Sequence, residues 1–132
     1  MFNLIGHSYS IDKKVLEKVS RAAFKYLGQD FEVNLKFVSP EKIKELNRIY
    51  RHKSEVTDVL SFTSDSKAPG GDIVICRSEA KKQAGILNSD VDSQVFLLIV
   101  HGILHLAGFE HTKEKDRVKM EKAEKKILSK IL

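Results

Sequence analysis

The sequence predicts a single domain in which helices surround a small β-sheet of about four strands. Three observations lead to this prediction. The chain has 132 residues, a length typical of one domain that buries its own core. Apolar residues recur at helical spacing in some segments and alternate with polar residues in others. No internal repeat or low-complexity segment interrupts these patterns.

The first half of the chain predicts a helix, a strand and a second helix. Apolar residues recur at helical spacing over residues 11–27, and a glycine then ends the helix. The segment FEVNLKFV alternates apolar and polar residues, which is the period of a half-buried strand. Ser39 followed by Pro40 supplies an N-cap and a first-turn proline, so the second helix is expected to run through about Arg51.

The second half predicts two short strands and more helices. The segments DVLSF (58–62) and DIVIC (72–76) are rich in strand-forming residues, and the Pro/Gly-rich TSDSKAPGG between them is typical of a loop. Further helices are predicted in RSEAKKQAGIL, in DSQVFLLIVHGILHLAG and in the charged tail from Thr112.

The composition favours a cytoplasmic protein with an anionic partner. Cys76 is the single cysteine, so an internal disulfide is excluded, and histidine and carboxylate become the expected metal ligands. Neither a signal peptide nor a membrane anchor is expected from the first residues. The net charge of +5 favours an anionic partner. However, acidic and basic residues alternate in the tail, which is typical of a solvated helix face rather than a nucleic-acid stripe.

The segment HGILHLAGFEH predicts a metal site. Four residues apart on a helix, His101 and His105 project from the same face. Gly108 stands where the helix can end in a left-handed residue, so the chain can reverse and bring His111 toward the pair. Three imidazoles leave one tetrahedral position open, as in catalytic zinc sites.

This spacing coincides with that of the metzincin proteases, H-E-x-x-H-x-x-G-x-x-H, except that Gly102 replaces the glutamate. That glutamate is the general base of the protease, so the ligand geometry is shared but peptide hydrolysis is not expected. The nearest carboxylate is Glu110. It is either an exposed loop acid or a residue that orients a ligand imidazole, and the sequence does not decide between the two.

The same segment resembles the YbeY family of bacterial metal-dependent endoribonucleases, whose motif is H-G-x-L-H-L-x-G-[YF]-D-H. The resemblance continues in LNRIYRHKSEVTDVLSF and in GGDIVIC, in the same order as in the family. It covers roughly residues 46–111. The fold that it implies is α+β, with a mixed, mainly parallel sheet and a zincin-like helix that holds the ion at its end.

The resemblance also implies the site residues. His101, His105 and His111 correspond to the ligands of the ion, which we expect to be Zn²⁺ or another divalent transition metal. Arg51 corresponds to the functional arginine, which would clamp the scissile phosphate. On the residues alone, Arg51 needs no further role than that of a cation at a helix C-terminus.

The chain departs from the family pattern at three positions. Val56 and Thr63 stand where the family usually has prolines, and Glu110 stands where it has aspartate. Cys76 matches a position that takes serine or cysteine in the family, so we expect it to pack in the core and not to bind the ion.

We therefore expect a hydrolase that uses metal-activated water, or a metal-polarised phosphate, against single-stranded RNA. The resemblance implies action on ribosomal RNA precursors or the ribosome, in maturation and quality control; no membrane or DNA partner is expected. Two alternatives remain at this point. One is a zinc peptidase, and the other is a non-catalytic RNA-binding protein with a structural ion.

Overall fold

The computed structural model describes residues 2–6, 13–64, 69–110 and 112–131 of the chain. Its strands are β1 (Phe2–Ile5), β2 (Val33–Phe37), β3 (Val59–Thr63) and β4 (Gly71–Ile75). Its helices are α1 (Lys13–Leu27), α2 (Pro40–Arg51), α3 (Arg77–Ile86), α4 (Val91–Leu106) and α5 (Glu114–Ser129). None of these helices is long and apolar enough to cross a membrane.

The four strands form one sheet in the order β1-β2-β4-β3. The pairs β1/β2 and β2/β4 are parallel, and β3 joins the edge of β4 in antiparallel orientation. The predicted α+β class with a mixed, mainly parallel sheet of four strands is therefore confirmed. β1 itself was not among the predicted strands, because its four residues are too few to show an alternating pattern.

One face of the sheet carries the main core, with α4 at its centre. α4 packs against α1, α3 and α5 and against strands β3 and β4. Nine of its 16 residues are buried, which is why the sequence of this helix is apolar around most of its circumference. His101 and His105 therefore lie on the most central helix of the fold.

The opposite face carries a smaller core under α2. Its buried residues are Ile43, Leu60, Val74 and Cys76. Burial of Cys76 in this cluster agrees with the expected packing role. The strand before it ends one residue earlier than predicted, at Ile75, because Cys76 is already the N-cap of α3.

Two helix starts are fixed by side chains that accept backbone hydrogen bonds. Ser39 caps α2 by accepting from the Lys42 amide at 3.2 Å, as the sequence predicts. Asp90 caps α4 by accepting from the backbone amide of Ser93 at 2.8 Å and from its hydroxyl at 2.9 Å. These hydrogen bonds, the backbone one first, lower the pKa of Asp90 from its ordinary value.

Candidate metal centre

The structure brings His101 and His105 together on one face of α4. Their Nε2 atoms are 3.0 Å apart. The ring centroids are 4.6 Å apart, with the ring planes inclined by 80°. Both residues are partly exposed. The pairing that the four-residue spacing predicts is confirmed.

The other ring nitrogen of each histidine is engaged by an acceptor. His101 Nδ1 lies 2.5 Å from Glu124 Oε1, on α5. His105 Nδ1 lies 3.0 Å from the backbone carbonyl oxygen of Phe109. A carbonyl oxygen accepts and never donates, and an ionised carboxylate does the same. Each Nδ1 therefore carries the hydrogen and donates it.

The chain reversal after α4 positions the Phe109 carbonyl. Gly108 has a φ of 104°, a conformation that residues with a side chain rarely adopt. The Phe109 amide donates back to the Leu104 carbonyl at 3.0 Å, which closes the turn. The left-handed glycine that the sequence predicts at the helix end is confirmed.

These tautomers decide what the pair can bind. In a neutral imidazole whose Nδ1 carries the hydrogen, Nε2 presents a lone pair. Two such lone pairs 3.0 Å apart repel each other unless a proton or a cation lies between them. Two nitrogens on one tetrahedral Zn²⁺ are separated by about 3.3 Å, given Zn–N bonds of about 2.0 to 2.1 Å. The donor set therefore fits a divalent transition metal.

The third predicted ligand, His111, lies outside the described residues. Within residues 2–6, 13–64, 69–110 and 112–131, no group of three or more histidine, cysteine or acidic side chains is arranged to hold an ion. Of the three predicted ligands, the described residues thus include His101 and His105.

The carboxylate that contacts a predicted ligand imidazole is Glu124 and not Glu110. Glu110 is exposed and makes no hydrogen bond or ion pair with any other described residue, as expected for a loop acid. The sequence does not single out Glu124, because it lies 23 residues after His101 in a tail where acids and bases alternate. Only the packing of α5 on α4 distinguishes it.

Gly102 packs directly on the sheet. A Cβ at this position would lie 2.8 Å from Ile73 Cδ1 and 3.0 Å from its Cγ1. A glutamate here would have to displace the Ile73 side chain of β4, so this packing disfavours the general base of the metzincin motif. The glycine at this position therefore has a structural reason, which is its packing on Ile73, as well as a chemical consequence, which is the absence of the protease's general base.

Arg51 is exposed at the last position of α2. The carbonyls at this helix end accept from the amide of His52, which caps the helix in a left-handed conformation. The Arg51 side chain makes no hydrogen bond or ion pair with the other residues that the structure describes, the two histidines included. Its guanidinium is thus not used to cap the helix.

Two contacts place the ends of α2 and α4 at the same end of the sheet. Next to Arg51, the ring of Tyr50 meets that of Phe62 edge-on, with centroids 5.1 Å apart. Phe62 pairs with Asp72 near the start of β4. On the other face, the Gly70 amide donates to the carbonyl of Leu106, the last residue of α4, at 3.4 Å.

A shallow depression of about 320 Å³ lies at the turn after α4. It is lined by the turn after α4 and by the first half of α5, including Phe109, Glu110, Asp116 and Lys119. The Lys119 ammonium lies 5.8 Å from the centroid of the Phe109 ring. Phe109, whose carbonyl oxygen contacts His105, thus presents its ring to this depression together with the Lys119 cation.

Comparison with known proteins gives a consistent result. The family described as "Endoribonuclease YbeY" matches residues 6–132. This chain is similar to the protein named Endoribonuclease YbeY of Phytoplasma australiense, with 40% identity over 82% of this chain and 80% of the relative. It is also similar to the protein of the same name from Ruthia magnifica, with 35% identity over 96% of this chain and 92% of the relative. The same name belongs to a similar protein of Aquifex aeolicus, 36% identical over 92% of this chain and 85% of the relative.

A solved structure has the same fold. The solution structure of TM1509 from Thermotoga maritima is similar with a TM-score of 0.70 and 27% sequence identity. The match covers 98% of this chain and 91% of that one.

Proposed function

The chain belongs to the endoribonuclease YbeY family, and from this premise we propose that it is a metal-dependent endoribonuclease that cuts single-stranded RNA. Because the chain belongs to this family, it is a nuclease and RNA is its substrate. The metal, the mechanism and the kind of RNA are the parts that we propose.

One observation carries the metal dependence. The Nε2 atoms of His101 and His105 face each other at 3.0 Å while both Nδ1 atoms donate elsewhere. This arrangement calls for a positive charge between the rings, and neutral imidazole is a common metal ligand. We propose that His111 is the third ligand, since the reversal at Gly108 turns the chain back toward the pair. Zn²⁺ is the expected ion.

A zinc-type ion in such a set supplies Lewis-acid chemistry, because it activates water near neutral pH and polarises a phosphoryl oxygen. The chain's own residues hold and orient the substrate. Arg51, which is exposed and not used to cap α2, is proposed to bind the scissile phosphate through its planar guanidinium. Placed there, it would offset the charge that develops on the phosphate as the bond breaks.

The position of Arg51 supports this role. The ends of α2 and α4 lie at the same end of the sheet, on its two faces. A strand of RNA that crosses the edge at β3 would therefore meet Arg51 from one helix and the imidazoles from the other. The net charge of +5 favours the association.

We further propose that the substrate is ribosomal RNA, in precursors or in the ribosome, and that the protein works in the cytoplasm. The first proposal follows from the resemblance of the histidine motif to the family, and the second from the composition, with its single cysteine. A peptidase is disfavoured, because Gly102 stands in place of the glutamate that would serve as its base and packs closely on Ile73.

The test is to load the protein with Zn²⁺ and to incubate it separately with labelled single-stranded RNA, the matching duplex and casein. We expect cleavage of the single strand alone, lost in chelator and restored by Zn²⁺. His105→Ala should remove both the metal and the activity. The matched control is His52→Asn, which deletes an exposed imidazole at a left-handed position that asparagine tolerates. Full RNA cleavage by the metal-free protein would refute metal dependence.

A further inference from the structure

Glu124 differs from the other two glutamates of α5. Its side chain is 12% exposed, whereas that of Glu114 on the same helix is 78% exposed and pairs with Arg117. Glu121, one turn before it, is exposed. Glu124 lies beside Ala123, which is buried in the main core. The packing of α5 on α4 thus turns the Glu124 carboxylate inward, toward His101.

Its own helix offers Glu124 no cation. The side chains that neighbour it on α5 stand three and four positions away, and these are Met120, Glu121, Ile127 and Leu128. None of them is basic, although lysines are frequent in this helix. Among the described residues, the hydrogen-bond partner of Glu124 is His101, at 2.5 Å. The Glu124 carboxylate therefore interacts with the His101 imidazole and not with a cation of its own helix.

We propose that Glu124 is a positioning residue that fixes the tautomer and the orientation of His101, so that its Nε2 presents a lone pair to a divalent metal ion. This inference rests on the metal site of the proposed function. An ionised carboxylate only accepts hydrogen bonds, so the hydrogen of a neutral His101 is held on Nδ1. The carboxylate also makes the imidazole a more basic ligand.

The two ligand histidines are then supported in the same way by different groups. The Phe109 carbonyl holds the hydrogen of His105 on Nδ1, through a backbone turn that side-chain substitution leaves in place. Only the support of His101 depends on a side chain. Without Glu124, the hydrogen of His101 can move to Nε2, where it blocks coordination.

A purely structural role makes a different prediction. If the contact only tied α5 to α4, its loss would lower the stability of the metal-free protein and leave the tautomer of His101 and the zinc affinity unchanged. Two measurements that do not depend on activity separate the roles. One is zinc affinity by competition with a chromophoric chelator, and the other is the tautomer of His101 in metal-free protein, by ¹H–¹⁵N correlation of the imidazole rings.

The variants are Glu124→Ala, Glu124→Gln and, as the matched control, Glu121→Gln on the exposed face of the same helix. We expect Glu124→Ala to weaken Zn²⁺ binding by about 10- to 100-fold and to shift His101 toward the Nε2-protonated tautomer. Glu124→Gln keeps an acceptor without the charge and should recover part of the affinity. Glu121→Gln should match the parent protein.

The outcomes separate this inference from the proposed function. Failure of the parent protein to bind Zn²⁺ would overturn the metal site and the inference with it. Zinc binding by the parent and equally tight binding by Glu124→Ala, with His101 still protonated on Nδ1, would overturn the positioning role alone. Because the metal-free protein is examined directly, loss of folding in Glu124→Ala would be detected, and Glu124→Gln would then decide the question.

Discussion

Replacing Gly102 with alanine should destabilise the protein, although the same change usually stabilises a helix. An alanine in a helix interior is favoured over glycine by about 1 kcal/mol. At Gly102, however, the new methyl group would lie 2.8 Å from Ile73 Cδ1 and 3.1 Å from its Cγ2. Forcing one carbon into a packed core costs about 1 to 3 kcal/mol. The net loss is therefore about 0 to 2 kcal/mol in the free energy of unfolding.

Gly85 on α3 provides the matched control. A Cβ at Gly85 meets nothing within 4 Å, so Gly85→Ala should stabilise the protein by about 0.5 kcal/mol or more. The helix-propensity contribution is similar in both variants. The difference between them thus measures the contact with Ile73, which we expect to be about 1 to 3 kcal/mol.

The assay is equilibrium unfolding in urea of the parent protein and both variants, without metal. A second step tests the cause. Ile73→Val removes Cδ1, the nearest atom, and alone should cost about 0.5 to 1.5 kcal/mol. Combined with Gly102→Ala, it should cost less than the sum of the two changes, because the trimmed side chain makes room. If Gly102→Ala raised the free energy of unfolding as much as Gly85→Ala does, the close packing of α4 on β4 would be refuted.

Three other predictions follow from the same structure. Arg51→Ala should cut turnover of single-stranded RNA by about a hundredfold with metal content unchanged. Arg48→Ala removes another exposed cation from the same last helical turn and should leave turnover unchanged. Equal activity of the two variants would remove Arg51 from the site. Zn²⁺ at a hundred times its dissociation constant should raise the free energy of unfolding by about 2.7 kcal/mol in the parent and not in His105→Ala, measured by urea unfolding with and without Zn²⁺. Because the pKa of Asp90 is lowered by folding, its contribution to stability is present above its ordinary pKa of 3.8 and is lost as the pH falls through the lower folded value. Asp90→Asn keeps an N-cap acceptor and should lack this pH dependence, which acid unfolding curves would show.

Local signals in the sequence located much of the fold. Ser39 and Pro40 mark the start of α2, Gly108 marks the end of α4, and helical spacing pairs His101 with His105. Each of these features is decided by residues within one turn of the chain. Such features can be predicted because the physical cause and its effect lie in the same short segment.

Features that depend on distant segments could not be predicted in this way. β1 is a strand because it pairs in parallel with β2, about 30 residues further along the chain. Glu124 contacts His101 because two helices pack together, and no spacing in the sequence encodes that. The close approach of Gly102 to Ile73 likewise joins a helix to a strand. The predicted role of Arg51 and the predicted metal-binding roles of His101, His105 and His111 stay predictions.

The unequal size of the two cores has a consequence for local opening of the molecule. α4 is surrounded by three helices and the sheet, whereas α2 covers a second cluster with only four buried apolar residues. Amide hydrogens of α4 should therefore exchange with solvent only in global unfolding, while those of α2 should exchange through smaller openings. The helix that carries the imidazoles would stay rigid while the helix that carries Arg51 moves. Under the proposed function, such a division would let Arg51 adjust to differently shaped strands of RNA without disturbing the spacing of His101 and His105.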